Sequence, residues 1–144
     1  MAERGPPRRA GGVTTYALDT DTCVHWLRGS DRVEKRALVV GLDHIGVTVV
    51  TACELLYGAW KTERAEKNLR AVETLLGRLT VLQTRQEVPA LFGQVKADLE
   101  RRGTRLDDAD LLIGAIALAH GRTLVTGNLA HFQRFPDLEV EAWL

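Results

Sequence analysis

The run HIGVTVV, residues 44 to 50, constrains the fold more than any other stretch. It is apolar and β-branched with no polar face, which suits a strand covered on both sides. A strand of that kind belongs in a parallel sheet flanked by helices. Four more short runs read as strands: TTYAL at 14 to 18, TVLQ at 80 to 83, RTLVTG at 122 to 127 and LEVEAWL at 138 to 144. The segments between them read as helices. The alternation predicts an α/β fold with a mainly parallel central sheet of about five strands, covered by helices on both faces.

The helical segments carry their own punctuation. DTDTCVHWLRG has Asp19 or Thr20 as a cap and Gly29 at its end. DRVEKRALVVGLD places Val33, Ala37, Leu38 and Val40 on one face. TACELLYGAWKT turns helical directly after the second strand. Residues 64 to 79 repeat Leu69, Val72, Leu76 and Leu79 at three- and four-residue steps, with charges opposite. RQEVPALFGQVKADLERRG has Pro89 in its first turn and Gly103 at its end. DDADLLIGAIALAHG is apolar almost throughout, which predicts a central position. Residues 128 to 137 read as a turn or short helix.

At 144 residues, one domain is expected over 13 to 144. The opening MAERGPPRRAGG is rich in Gly, Pro and Arg and lacks an apolar segment, so residues 1 to 12 read as a disordered tail rather than a secretory signal. The run LLIGAIALA is far short of the roughly 20 residues of a membrane helix, so a soluble, cytoplasmic protein is expected. Nineteen basic residues balance nineteen acidic ones, so overall charge does not point to nucleic acid and such a partner has to meet a local patch. Cys23 and Cys53 lack zinc-ligand spacing and read as buried thiols of a reducing compartment. The four histidines are scattered and read as surface or packing residues.

In a parallel sheet the site lies beyond the carboxyl ends of the strands. Asp19 follows the first strand, Glu54 the second, Asp110 opens the apolar helix and Asn128 follows the fourth strand. Each also has a capping reading. Asp19 suits an N-cap, Thr51 and Glu54 have the spacing of a capping box, and Asp107 or Asp108 suits a cap with Asp110 in the first turn. Against capping alone, Asp110 enters the most apolar helix and Glu54 sits among apolar residues. Carboxylates gathered in one pocket repel each other, and a hard divalent cation relieves that repulsion.

Taken together, YALDTDTCVHWLRG, TVVTACELLYGA, DLLIGAIALAHGRTLVTGNLAHFQRF and LEVEAW resemble the PIN-domain ribonucleases, and more narrowly the VapC-type toxins of toxin–antitoxin pairs. The resemblance runs from about residue 14 to the end. It implies an α/β/α sandwich and an endoribonuclease using Mg²⁺ or Mn²⁺, with Asp19, Glu54 and Asp110 as the catalytic, metal-holding acids. Asn128 occupies the family's fourth acidic position, and its amide is a weaker ligand than a carboxylate. Asp21 stands where relatives often carry Asn, and Thr126 stands beside the fourth position, able to orient water or an acid. The resemblance also implies an RNA substrate, a small antitoxin partner of the VapB kind and a homodimer. Arg101, Arg102 and Arg105 are candidates for phosphate contact, beside the bland reading of a solvated helix end. Lys61, Arg64 and Lys67 form a second basic patch. Leu55, Leu56, Tyr57 and Trp60 line a partner groove or belong to the core.

Two other functions fit parts of this pattern. LDTD resembles the paired aspartates of haloacid-dehalogenase-like phosphatases, although Cys23 stands where that motif wants Thr or Val. A degenerate PIN module that binds RNA or protein without cutting is the other, and the retained Asp19, Glu54 and Asp110 argue against it.

Overall fold

The computed structural model describes residues 12–144. The expected N-terminal tail, apart from Gly12, lies outside the described residues. Five strands form one parallel sheet: β1 (Tyr16–Leu18), β2 (Ile45–Thr48), β3 (Thr80–Leu82), β4 (Thr123–Val125) and β5 (Val140–Glu141). Their order is β3-β2-β1-β4-β5, so the chain reverses its direction of travel across the sheet between β1 and β4. Register pairs Tyr16 with Thr123, Ala17 with Leu124 and Leu18 with Val125.

Alternation along the strands builds two apolar layers. Tyr16, Leu18, Ile45, Val47 and Val125 point to one face, where they meet Cys23, Trp26, Val33, Ala37, Leu55 and Leu75. Those residues come from α1 (Thr20–Leu27), α2 (Asp31–Val40), α3 (Val49–Trp60) and α4 (Ala65–Arg78). Ala17 and Leu124 point to the other face, against Leu99, Leu111, Ile113, Ile116 and Phe135. That face is covered by α5 (Val88–Arg101), α6 (Asp108–Ala119) and α7 (Leu129–Phe132). Each fully buried Leu or Ile contributes about 1.5–3 kcal/mol. The apolar helix is α6, central as its composition predicts.

Several boundaries differ from the sequence expectation. The second strand stops at Thr48, because the Thr48 hydroxyl accepts from the Thr51 N–H at 3.1 Å and starts α3 there. Val49 and Val50, β-branched and read as strand, instead pack on the α6 layer from the first turn of a helix. The capping box of Thr51 and Glu54 is therefore absent: both residues are already helical, and Glu54 lies in the second turn. The closing strand shrinks to two residues. Cys23 is buried as expected, and burial pushes its thiol up. Cys53 is exposed, because Ala52, Leu55 and Ala59 take the inward face of α3.

Candidate active site

The reversal between β1 and β4 opens a crevice at the carboxyl ends of these strands, where open α/β sheets bind ligands. Asp19 stands at its floor. Its backbone N–H donates to Val125 O at 2.9 Å, tying the start of α1 to the end of β4. Its side chain is the N-cap of α1 and accepts from the Thr22 N–H at 2.8 Å. Asp19 is only 6% exposed. Burial pushes its carboxyl above the ordinary value, hydrogen bonds from Thr126 and Thr22 pull it back, and the charge of Asp21 pushes it up again. Capping and a buried carboxylate at the crevice thus coexist in one residue.

Thr126 is fully buried beyond β4 and serves two partners. Its hydroxyl bonds the Asp19 carboxylate, and its oxygen accepts from the Asn128 N–H at 2.9 Å. Asn128 itself is exposed at the start of α7, and its side chain makes no capping bond. Glu54 approaches from α3. The Thr20 hydroxyl donates to Glu54 Oε1 at 2.5 Å and lies 3.1 Å from the Thr51 hydroxyl. Thr20, adjacent to Asp19, therefore fastens the second acid beside the first.

Asp110 lies in the first turn of α6, half-buried. Burial raises its carboxyl, the neighbouring His131 ring opposes the rise, and the charges of Asp107 and Glu54 add to it. His131 Nε2 stands 3.3 Å from Asp110 Oδ2. This corrects the reading of all four histidines as plain packing or surface: His131 on α7 is held against a site acid. Gly114, one turn further along α6, makes room for the Phe135 ring. A Cβ there would fall 2.8 Å from the Phe135 ring, so its absence lets the segment after α7 press onto α6.

The remaining candidates divide. Asp21 is exposed and pairs with His25 at 3.7 Å, so it contributes charge at the rim rather than a donor on the floor. Arg101 and Arg102 are exposed at the end of α5, where Arg102 pairs with Asp98 at 3.1 Å. Arg105 instead lines a cavity beside the start of α6. Lys61, Arg64 and Lys67 are exposed, with Lys61 over the Tyr57 ring. The supposed groove splits: Leu55 is core, Leu56 packs on it, and Tyr57 and Trp60 face outward at 66% and 68% exposure.

The donors facing the crevice are carboxylate and hydroxyl oxygens, which suit Mg²⁺ or Mn²⁺ rather than a softer ion. Among the described residues no three His, Cys, Asp or Glu side chains are gathered closely enough to hold a metal ion. The acids interact in pairs instead, Asp19 with Asp21 and Glu54 with Asp110. The donor chemistry fits a hard cation, and the grouping is a shared edge rather than a closed triad.

The profile of the PIN domain matches residues 16–138. The tRNA(fMet)-specific endonuclease VapC of Salmonella typhimurium is 32% identical over 128 residues, covering 89% of this chain and 97% of the relative. The chain belongs to the PIN-domain family, among its VapC-type ribonucleases. Ribonuclease VapC2 of Haemophilus influenzae is 33% identical over 129 residues, covering 90% of this chain and 98% of its own. The fold agrees with that of solved VapC chains. The DNA-bound VapBC structure from Salmonella typhimurium superposes with a TM-score of 0.86 at 32% identity, over 91% of this chain and 99% of that one. VapBC2 from Rickettsia felis, bound to a promoter DNA fragment, gives 0.86 at 28%, over 91% and 100%. The α/β class, the parallel five-stranded sheet and the VapC-type resemblance all hold. The phosphatase alternative loses its footing in this family. Among the described residues no helix is long and apolar enough to cross a membrane.

Two contributors escaped the sequence reading. In sequence Thr20 reads only as a cap, whereas its bond to Glu54 spans 34 residues. His131 could have been suspected from its place three residues after Asn128, at the same sheet edge.

Proposed function

We propose that this chain is a metal-dependent endoribonuclease toxin, neutralised by an antitoxin of the VapB kind. The reading is supported by a VapC-type fold in which Asp19 is buried at the carboxyl end of β1 and Glu54 and Asp110 act on each other by charge. Asp19, Glu54 and Asp110 would hold Mg²⁺ or Mn²⁺, with Asn128 at the rim as a weaker oxygen donor. Such an ion, when bound, supplies Lewis acidity toward the scissile phosphate and the attacking water.

The protein's own part is positioning. Thr126 holds Asp19 and Thr20 holds Glu54, so two acids keep fixed orientations before any substrate arrives. His131 restrains Asp110. Arg101 and Arg102, exposed at the end of α5, would contact a phosphate backbone running past that end. A splayed single strand or loop suits the narrow edge better than a duplex. Tyr57 and Trp60 offer an exposed aromatic face for the antitoxin or for a second copy of the chain.

The test is direct. The purified chain is incubated with single-stranded and structured RNAs, with Mg²⁺ and with chelator, and the ends are mapped. Cleavage that needs the metal and stops on adding the cognate antitoxin is expected. Intact RNA under all metal conditions would refute the enzymatic reading.

A further inference from the structure

A cavity of about 320 Å³ opens beside the start of α6, lined by Lys96, Leu99, Glu100, Arg105, Leu106, Asp107, Asp108 and Leu111. That is the low end of ligand pockets, roughly 300–1,000 Å³, and suits a small group rather than a whole nucleotide chain. Leu99, Leu106 and Leu111 are buried and form an apolar floor. Asp107 and Leu111 stand one helical turn apart on its wall, and Asp110 lies between them in sequence with its carboxylate toward His131. The cavity therefore borders the site at α6, where Asp107 on its wall is one of the charges acting on Asp110.

Its charges select the occupant. Lys96 Nζ donates to Asp108 Oδ1 at 2.9 Å, so these two largely satisfy each other. Glu100 and Asp107 remain as acceptors, and Arg105 as a donor. A phosphate entering here meets Glu100 and Asp107 at close range. A polycation meets Arg105 and Lys96. A flat, uncharged group that carries both donors and acceptors meets neither obstacle.

We propose that this cavity is a base-binding subsite that takes one unstacked guanine flanking the scissile phosphate. The proposal rests on the ribonuclease reading above. Carboxylates accept only, so Glu100 and Asp107 read the N1–H and N2–H₂ donors of guanine. The Arg105 guanidinium matches the O6 and N7 acceptors, its common pairing with this base. Uracil offers a single ring donor and no amine, and is the base least suited to the site.

The experiment pairs binding with cleavage. Binding of a short oligouridylate, and of the same oligomer with one central guanosine, is measured by fluorescence anisotropy in chelator. Cut sites in a randomised single-stranded RNA pool are sequenced with Mg²⁺ present. The wild type is expected to bind the guanosine oligomer about tenfold more tightly and to enrich guanine at one position beside the cut. Glu100→Gln and Asp107→Asn, both at exposed positions, are expected to shrink both preferences, and the double variant to abolish them while circular dichroism stays unchanged. Equal binding of the two oligomers by the wild type, or preferences unaltered in the double variant, overturns the subsite. Cleavage without base preference removes the subsite and leaves the ribonuclease reading standing. Base-selective binding without cleavage does the reverse.

Discussion

Two buried charged side chains sit at opposite ends of the paired central strands, and they differ in what surrounds them. Arg122, at the amino end of β4, is 7% exposed and donates from Nη1 to Tyr16 O at 3.3 Å and His44 O at 3.4 Å. It covers carbonyls where β1 begins and β2 is entered. Asp19, at the carboxyl end of β1, is 6% exposed and lies near the charge of Asp21. One buried charge donates to backbone carbonyls at the amino end of the sheet. The other is desolvated, is bonded by Thr126 and by the Thr22 N–H, and still has its carboxyl raised above the ordinary value. Sequence alone does not separate the two cases, since both are single charged residues at strand ends.

The contrast can be broken in stages. The largest effect is expected from Asp19→Asn, which should lower RNA cleavage by about a hundredfold or more while the fold survives, because Asn caps α1 as well as Asp does. Rates at saturating Mg²⁺, with circular dichroism as the control, check it. Arg122→Met should do the opposite. Stranding the carbonyls of Tyr16 and His44 should lower stability by about 1–3 kcal/mol in denaturant unfolding, with the cleavage rate per folded molecule preserved.

Gly114→Ala sharpens the comparison from the other layer. The added methyl meets the rigid Phe135 ring at 2.8 Å, and about 1–3 kcal/mol of stability should be lost. Displacing the α7 segment should also loosen His131 from Asp110, so cleavage should fall too, unlike in Arg122→Met.

The smallest effect is the pH dependence of metal-free stability. Asp19 and Asp110 have carboxyls raised above 3.8, so the folded chain binds their protons more tightly than the unfolded chain does. Their contribution is most favourable below 3.8 and is lost as pH rises through the raised values. Urea unfolding in chelator should show this slope, and Asp19→Asn should reduce it. An unchanged slope would mean that the acid is not strained by its surroundings.

Much of this was legible in advance, for physical reasons. Two-sided burial marks HIGVTVV as strand, and the apolar run after Asp110 marks α6 as central, because composition alone carries both signals. Asp19 and Asp110 could be placed at the sheet edge from chain order. The start of α3 could not, since Val49 and Val50 favour strand locally and the Thr48 cap together with packing on α6 overrides them. His131 was hidden for a different reason. Its meaning depends on a contact with Asp110 across 21 positions of chain, which no motif around the histidine announces.

The central claim is that Asp19, Glu54 and Asp110, from the start of α1, from α3 and from α6, act as one cation-holding set. Calorimetric titration with Mn²⁺ tests it most directly, on the wild type and on Asp19→Asn, Glu54→Gln and Asp110→Asn. Binding to the wild type, weakened about tenfold or more in each single variant, is the predicted result. Wild-type affinity retained in all three variants would contradict it.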